Sequence, residues 1–216
     1  MERNVFKIDK LPTVRRLPAY LHILRQLARS GEKFVSSAFL AEKLNIEPIL
    51  VRKDFELTRV AGTPRVGYSV SELIASIEDF LGWGEDLDAI LVGVGQLGAS
   101  ILGYRELMDF RLRILAGFDS DPEKVGTAVH GVPVFAVTRL EELLGRLRAR
   151  LAILTVPSAD AQKIADLLVS SGIRGIWNYT SENIVVPADV ITQKEDLASG
   201  LAVLCVKMSR NMPSPL

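Results

Sequence analysis

Three glycines, Gly93, Gly95 and Gly98, punctuate the stretch GVGQLG, and Asp119 follows about 20 residues after the last of them. These residue types at this spacing suit a loop that cradles a dinucleotide pyrophosphate. The first glycine permits a tight turn, the second lets the backbone approach the phosphates, and the third lets a helix pack closely on a strand. Amides opening the next helix, at Gln96 and Leu97, then face the phosphates. Asp119 would accept hydrogen bonds from both hydroxyls of the adenosine ribose, and its charge would repel a 2′-phosphate, which selects NAD over NADP. A bare strand-to-helix turn would use the same glycines, and a coenzyme A-binding fold on a related sheet is the other open reading.

A second cluster of chemistry lies upstream. In EPILVRKDF, Arg52 and Lys53 stand side by side in a segment that Pro48 opens as a helix. Near the middle of a recognition helix such a pair reaches a base edge and a phosphate in the major groove. The structural alternative is a solvated helix on which Asp54 and Glu56 offset the charge. Residues 1 to 70 hold 13 Lys or Arg against 7 Asp or Glu, a net +6, and the remainder of the chain carries −6, because the totals balance at 26 each. A basic module joined to an acidic body is the pattern of a polyanion-binding domain on a regulatory one.

Catalysis has little to work with. The two histidines are His22, in the first helix, and His130, in a loop, and only about 40 residues follow the fifth strand, too few for a substrate domain. Lys or Tyr bases remain the open route to an enzyme. No catalytic residue and no metal ligand is assigned.

The elements that position these residues follow from periodicity. Leu17, Tyr20, Leu21, Leu24 and Leu27 mark a helix over 13–28 that Gly31 stops. Ser36 and Ser37 cap a second helix ending at Asn45, and the helix opened by Pro48 runs to about Leu57. GTPRVGYSV then reads as a small hairpin, the wing of a winged helix-turn-helix. Ser69 and Glu72 form a capping box before a fourth helix that ends at Gly82. Beyond a junction at Trp83 to Leu87, strand-like runs at 89–92, 112–118, 132–135, 151–155 and 175–178 alternate with helices, the mark of a doubly wound parallel sheet. A terminal helix over 195–209 is apolar on two faces, with Val203 and Val206 opposite Leu201 and Leu204, and predicts a homodimer. The resulting division is 1–82, a winged-helix DNA-binding domain; 83–194, a Rossmann-like NAD(H)-binding domain; and 195–216, a dimerisation helix and tail.

One cysteine, Cys205, excludes an internal disulfide framework. The charged start MERNVFKIDK is no signal peptide and no apolar run approaches a membrane helix, so the expectation is a cytoplasmic protein without a membrane partner.

Taken in order, RRLPAYL, VSSAFLAEKL, VRKDF, GTPRVGY, VGVGQLG, FDSDPEKVG, LTVPS, GIRGIWNYT and EDLASGL resemble the Rex family of bacterial redox-sensing transcriptional repressors along nearly the whole chain. The resemblance implies a homodimer whose winged helices bind operator DNA and whose Rossmann domains sense the ratio of NADH to NAD⁺, with NADH closing the dimer and releasing DNA. It further implies that the terminal helix is swapped onto the partner subunit and sets Asp196 and Leu197 near the nicotinamide. Tyr104, in the helix after the glycine loop, matches a tyrosine that pairs with that aspartate. Ser36 and Ser37 match hydroxyl residues that suit phosphate contacts. Two departures stand out. Where the family reads Ser-Tyr-Phe-Gly after the basic pair, this chain has Glu56, Leu57, Thr58 and Arg59, which implies an altered operator; Arg59 and Arg65 add positive charge there. Where the family has an arginine that bridges to the terminal-helix aspartate, this chain has His22, whose charge titrates near neutral pH, so that the response to NADH would weaken as pH rises.

Overall fold

A computed structural model describes residues 10–211. The chain divides into two compact units, Met1–Glu85 and Asp86–Leu216, each with its own core.

The first unit runs α1 (Leu11–Arg29), β1 (Phe34–Val35), α2 (Ser37–Leu44), α3 (Pro48–Glu56), β2 (Tyr68–Ser69) and α4 (Val70–Leu81). Local signals set most boundaries. Ser36 caps α2 by accepting the Phe39 amide at 3.1 Å, and Asn45 ends it in a left-handed conformation, φ 53°. Ser69 accepts the Glu72 amide at 3.3 Å, and Gly82 stops α4 at φ 70°. The wing differs from a self-contained hairpin. Its tip closes through Thr63 and Gly67, but its base pairs antiparallel with β1, Val35 opposite Tyr68. Gly67 makes this possible: at φ 102°, a Cβ there would stand 2.4 Å from the Val35 carbonyl oxygen. Beneath the wing, the Phe55 ring meets Tyr20 and Tyr68 edge-on, with centroids 5.0 and 5.1 Å apart.

The second unit runs β3 (Leu87–Val92), α5 (Gln96–Leu102), α6 (Glu106–Asp109), β4 (Leu112–Asp119), β5 (Ala128–Val129), β6 (Val132–Ala136), α7 (Leu140–Leu147), β7 (Leu151–Leu154), α8 (Ser158–Ser170), β8 (Gly175–Asn178), β9 (Ile191–Lys194) and α9 (Leu197–Asn211). The sheet order is β5-β6-β4-β3-β7-β8-β9. All neighbours from β6 to β9 are parallel, with the order reversing at β3 and β7, the doubly wound arrangement. The short edge strand β5 is antiparallel to β6, folded back by His130 and Gly131, both at positive φ.

Alternation along the strands fills both faces. Ile90, Val92, Ala116, Phe118 and Ala152 pack with Leu140, Leu144, Ala161 and Leu168 on one side. Ala89, Leu91 and Ile153 pack with Ile101 of α5 on the other. The last helix starts at Leu197, two residues later than its periodicity predicts, because Asp196 caps it: Oδ1 accepts the Ala198 amide at 2.9 Å and Oδ2 the Ser199 hydroxyl at 3.0 Å. Leu201, Val203, Leu204, Val206 and Met208 along α9 are all exposed. No helix among the described residues is long and apolar enough to cross a membrane.

Candidate functional site

The glycine loop joins the carboxyl end of β3 to α5, and each glycine meets a different steric demand. Gly93 stands at φ 99°, and a Cβ there would lie 2.7 Å from the Thr155 carbonyl group. Gly98 faces the Gly93 carbonyl oxygen so closely that a Cβ would stand 2.1 Å from it. Gly95 has nothing within 4 Å of a Cβ position, yet it lines a cleft of ≈ 640 Å³. The fold requires the first and third glycines; only a molecule in the cleft requires the second. Gln96 and Leu97 form the first turn of α5, whose ladder begins with the Ala99 amide donating to Gly95 at 2.9 Å. Thr155, an unremarkable residue of the LTVPS stretch, donates its hydroxyl to the Gly93 carbonyl at 2.8 Å and so holds the loop against β7.

Asp119 ends β4 at the same cleft and is nearly buried. Its Oδ2 accepts the Val94 amide at 2.7 Å, and its Oδ1 accepts the Asp121 amide at 2.9 Å. The carboxylate therefore ties the glycine loop to the end of β4, and Oδ1 keeps a further acceptor position for a ribose hydroxyl while the second position on Oδ2 faces an ammonium. Lys124, which sequence reasoning missed, reaches Oδ2 at 3.4 Å and Asp121 Oδ2 at 3.4 Å. The residues present fit an adenine dinucleotide.

A second cavity of ≈ 380 Å³ opens beside Leu97 and is lined by Tyr179, Thr180, Ser181, Lys194, Glu195 and Asp196. Leu97 and Asp196, far apart in sequence, thus share one cavity. Trp177 donates its indole N–H to Glu195 at 3.0 Å. Burial, with the Glu195 charge behind it, pushes the Tyr179 hydroxyl up to about 12. The expectation for the Leu197 side chain lies outside the described residues. Tyr104 is not in a helix: α5 ends at Leu102, so Tyr104 sits exposed in the connection to α6 and donates to Glu106 at 2.6 Å. That bond holds its hydroxyl above the usual tyrosine value.

In the first unit, Val51, Asp54 and Phe55 turn inward while Arg52, Lys53 and Glu56 face solvent. Asp54 therefore does not offset the basic pair at the surface. It is 1% exposed and accepts Thr13 Oγ1 at 2.8 Å, two Arg16 nitrogens at 2.7 Å and the Tyr20 hydroxyl at 2.8 Å. Burial pushes its carboxyl up, and the hydrogen bonds from Arg16, Thr13 and Tyr20 outweigh that and hold it below its ordinary value. This network locks α3 to α1. Ser36 spends its hydroxyl on the α2 cap and is exposed, whereas Ser37 is half-buried in the first turn. Arg59, just past α3, and Arg65, at the wing tip, are exposed and both left-handed, at φ 60° and 64°. His22 is exposed on α1, with its Nε2 2.8 Å from the Gln26 amide nitrogen. Among the described residues no group of acidic, histidine or cysteine side chains could hold a metal ion.

A winged helix-turn-helix carrying an outward basic pair, in one chain with a dinucleotide-type Rossmann sheet, defines a class of nucleotide-responsive DNA-binding proteins. Family models agree on both parts: a putative DNA-binding protein N-terminus matches residues 11–56, and a CoA binding domain matches residues 85–182. A redox-sensing transcriptional repressor Rex of Treponema denticola is 44% identical over 94% of this chain and 97% of its own. One of Porphyromonas gingivalis is 42% identical over 91% and 90%. The crystal structure of RSP, a Rex-family repressor, in complex with β-NAD⁺ and operator DNA matches with a TM-score of 0.85 at 29% identity, covering 96% of this chain and 94% of that one. RSP in complex with β-NADH gives 0.83, covering 96% of both. The chain belongs to the Rex family of redox-sensing transcriptional repressors.

Proposed function

We propose that this chain is a transcriptional repressor, not an enzyme, that binds operator DNA through residues 1–82 and NADH or NAD⁺ through residues 83–194, and leaves the DNA when NADH binds. The observation that carries the reading is Gly95, a glycine the fold does not need, set in a cleft beside the fixed carboxylate of Asp119. Gly93, Gly95, Gln96, Leu97 and Gly98 take the pyrophosphate and Asp119 the ribose. Leu97, Tyr104, Asp196 and Leu197 serve the nicotinamide end, Leu97 and Asp196 from the cavity they share. The cofactor supplies a ring that is cationic when oxidised and neutral when reduced. A carboxylate beside it responds differently to the two states, which gives redox state a differential binding energy to spend on conformation.

Arg52 and Lys53 enter the major groove, and Ser36, Ser37, Arg59 and Arg65 contact the backbone around it. The exposed apolar residues on two faces of α9 support a homodimer in which residues 195–216 cross to the partner subunit. His22 meets Asp196 in the NADH-bound state, in place of an arginine. An operator partner makes the protein cytoplasmic.

The test is a titration of NADH, NAD⁺ and coenzyme A followed by calorimetry and reduced-nicotinamide fluorescence, with operator selection from a random DNA pool at moderate salt. Tight NADH binding, weaker NAD⁺ binding and an enriched sequence released by NADH are the expected results. Preference for coenzyme A, or no enriched sequence, would refute the assignment.

A further inference from the structure

At the ribose end of the cleft three charges stand together. Asp119 is 10% exposed, Asp121 39% and Lys124 37%. Asp121 is itself fixed, because its Oδ1 accepts the Glu123 amide at 3.0 Å. Lys124 is thus held between two anchored carboxylates at equal distance. On α8, Asp160 and Lys163 line the same cleft and offset each other in charge. The net charge at the ribose edge is therefore −1, and Lys124 alone keeps it from being −2. A ribose diol binding to Asp119 competes with Lys124 for Oδ2, and Asp121 is the acceptor that keeps the ammonium in place when that happens.

We propose that Lys124, held by Asp121, is a specificity-determining residue that sets how strictly the site refuses a 2′-phosphate. The inference rests on the NAD(H) reading of the cleft and deepens it. With Lys124 present, a 2′-phosphate meets one uncompensated carboxylate and an ammonium able to turn toward it. Without the lysine it meets two carboxylates. The ribose of NADH carries no charge, so its binding depends little on this balance.

The experiment measures dissociation constants for NADH and NADPH, and for 5′-AMP and adenosine 2′,5′-bisphosphate as probes lacking the nicotinamide, on the full-length wild type, Lys124→Ala, Lys124→Gln and Asp121→Asn. One unit charge facing a doubly charged phosphate across partly screened solvent changes the ratio by about ten-fold. Both lysine variants widen the preference for NADH over NADPH by that amount, through weaker NADPH binding, and Asp121→Asn narrows it. The two adenosine probes shift in parallel, and the shifts shrink in high salt. Equal loss of both coenzymes in the lysine variants, or an unchanged ratio with NADH still bound, overturns this inference alone. Failure of the wild type to bind NADH overturns it together with the reading beneath it.

Discussion

Replacing Asp54 with asparagine keeps the side chain's shape and removes its charge, and the loss falls on α1 and α3 together. The carboxylate accepts four hydrogen bonds, two of them from one guanidinium, at 2.7–2.8 Å, and is 1% exposed. Breaking one member of a buried ion pair costs about 3–5 kcal/mol. Arg16 is a quarter exposed and can rehydrate, which places Asp54→Asn near 3 kcal/mol. For a unit this small that is a Tm drop on the order of 15 °C, read by circular dichroism and by hydrogen exchange resolved along the chain. Exchange accelerates in α1 and α3, while the second unit and its NADH affinity stay unchanged. Arg16→Met is at least as damaging, because it strands the carboxylate. The double variant Arg16→Met with Asp54→Leu recovers most of the loss, since neither charge is then buried alone. The sign with pH follows from the depressed carboxyl value: the contribution is complete above the ordinary carboxylate value of about 3.9 and fades as pH falls through the folded one. Asp54→Asn therefore flattens the acid limb of the stability curve. A Tm drop below about 3 °C, or no recovery in the double variant, would refute the lock.

Two glycine variants separate fold from ligand. Gly95→Ala leaves Tm within about 2 °C and weakens NADH binding at least ten-fold, whereas Gly98→Ala lowers both, because its Cβ meets the Gly93 carbonyl; equal effects in calorimetry would contradict the distinction. Arg59→Gly relieves a left-handed residue and stabilises the first unit by roughly 1 kcal/mol, while DNA affinity falls and its salt dependence loses about one counterion. Stability without the affinity loss would remove Arg59 from the DNA contact set. Leu204→Ser with Val203→Ser converts the dimer to monomer in sedimentation, and a dimer surviving at micromolar concentration would exclude α9 as its seam.

Where the determinant is local, the sequence speaks clearly. Ser36, Asn45, Ser69 and Gly82 cap or stop helices through bonds and φ values settled within four residues, and the spacing of Gly93, Gly95, Gly98 and Asp119 reports a loop, a strand and its end. What periodicity cannot show is which residue from a remote element arrives as a partner. β1 is two residues long and exists only because β2, more than 30 positions later, pairs with it. Lys124 and Thr155 look like ordinary loop residues until β4 and β7 bring them to the cleft. Tyr104 differs from its expected place in a helix for a related reason: helical spacing continues past Leu102, whereas α5 ends there.

Asp54 carries this furthest, because its direction decides which charges α3 turns outward. One turn of helix separates Val51, Asp54 and Phe55 by three and four positions, so the three share a face. Two of them are apolar and must be inside; the third follows them in and is tolerated only because Arg16, Thr13 and Tyr20 meet it, Arg16 from 38 positions away. The same geometry turns Arg52 and Lys53 outward by necessity. A recognition helix with Asp54 at its surface would offer DNA two positive charges against two negative ones along its central turn. With Asp54 inside, Glu56 alone opposes the basic pair there. The buried aspartate thus does for electrostatics what it does for packing: it fixes the angle at which α3 stands and removes a carboxylate that would repel phosphate.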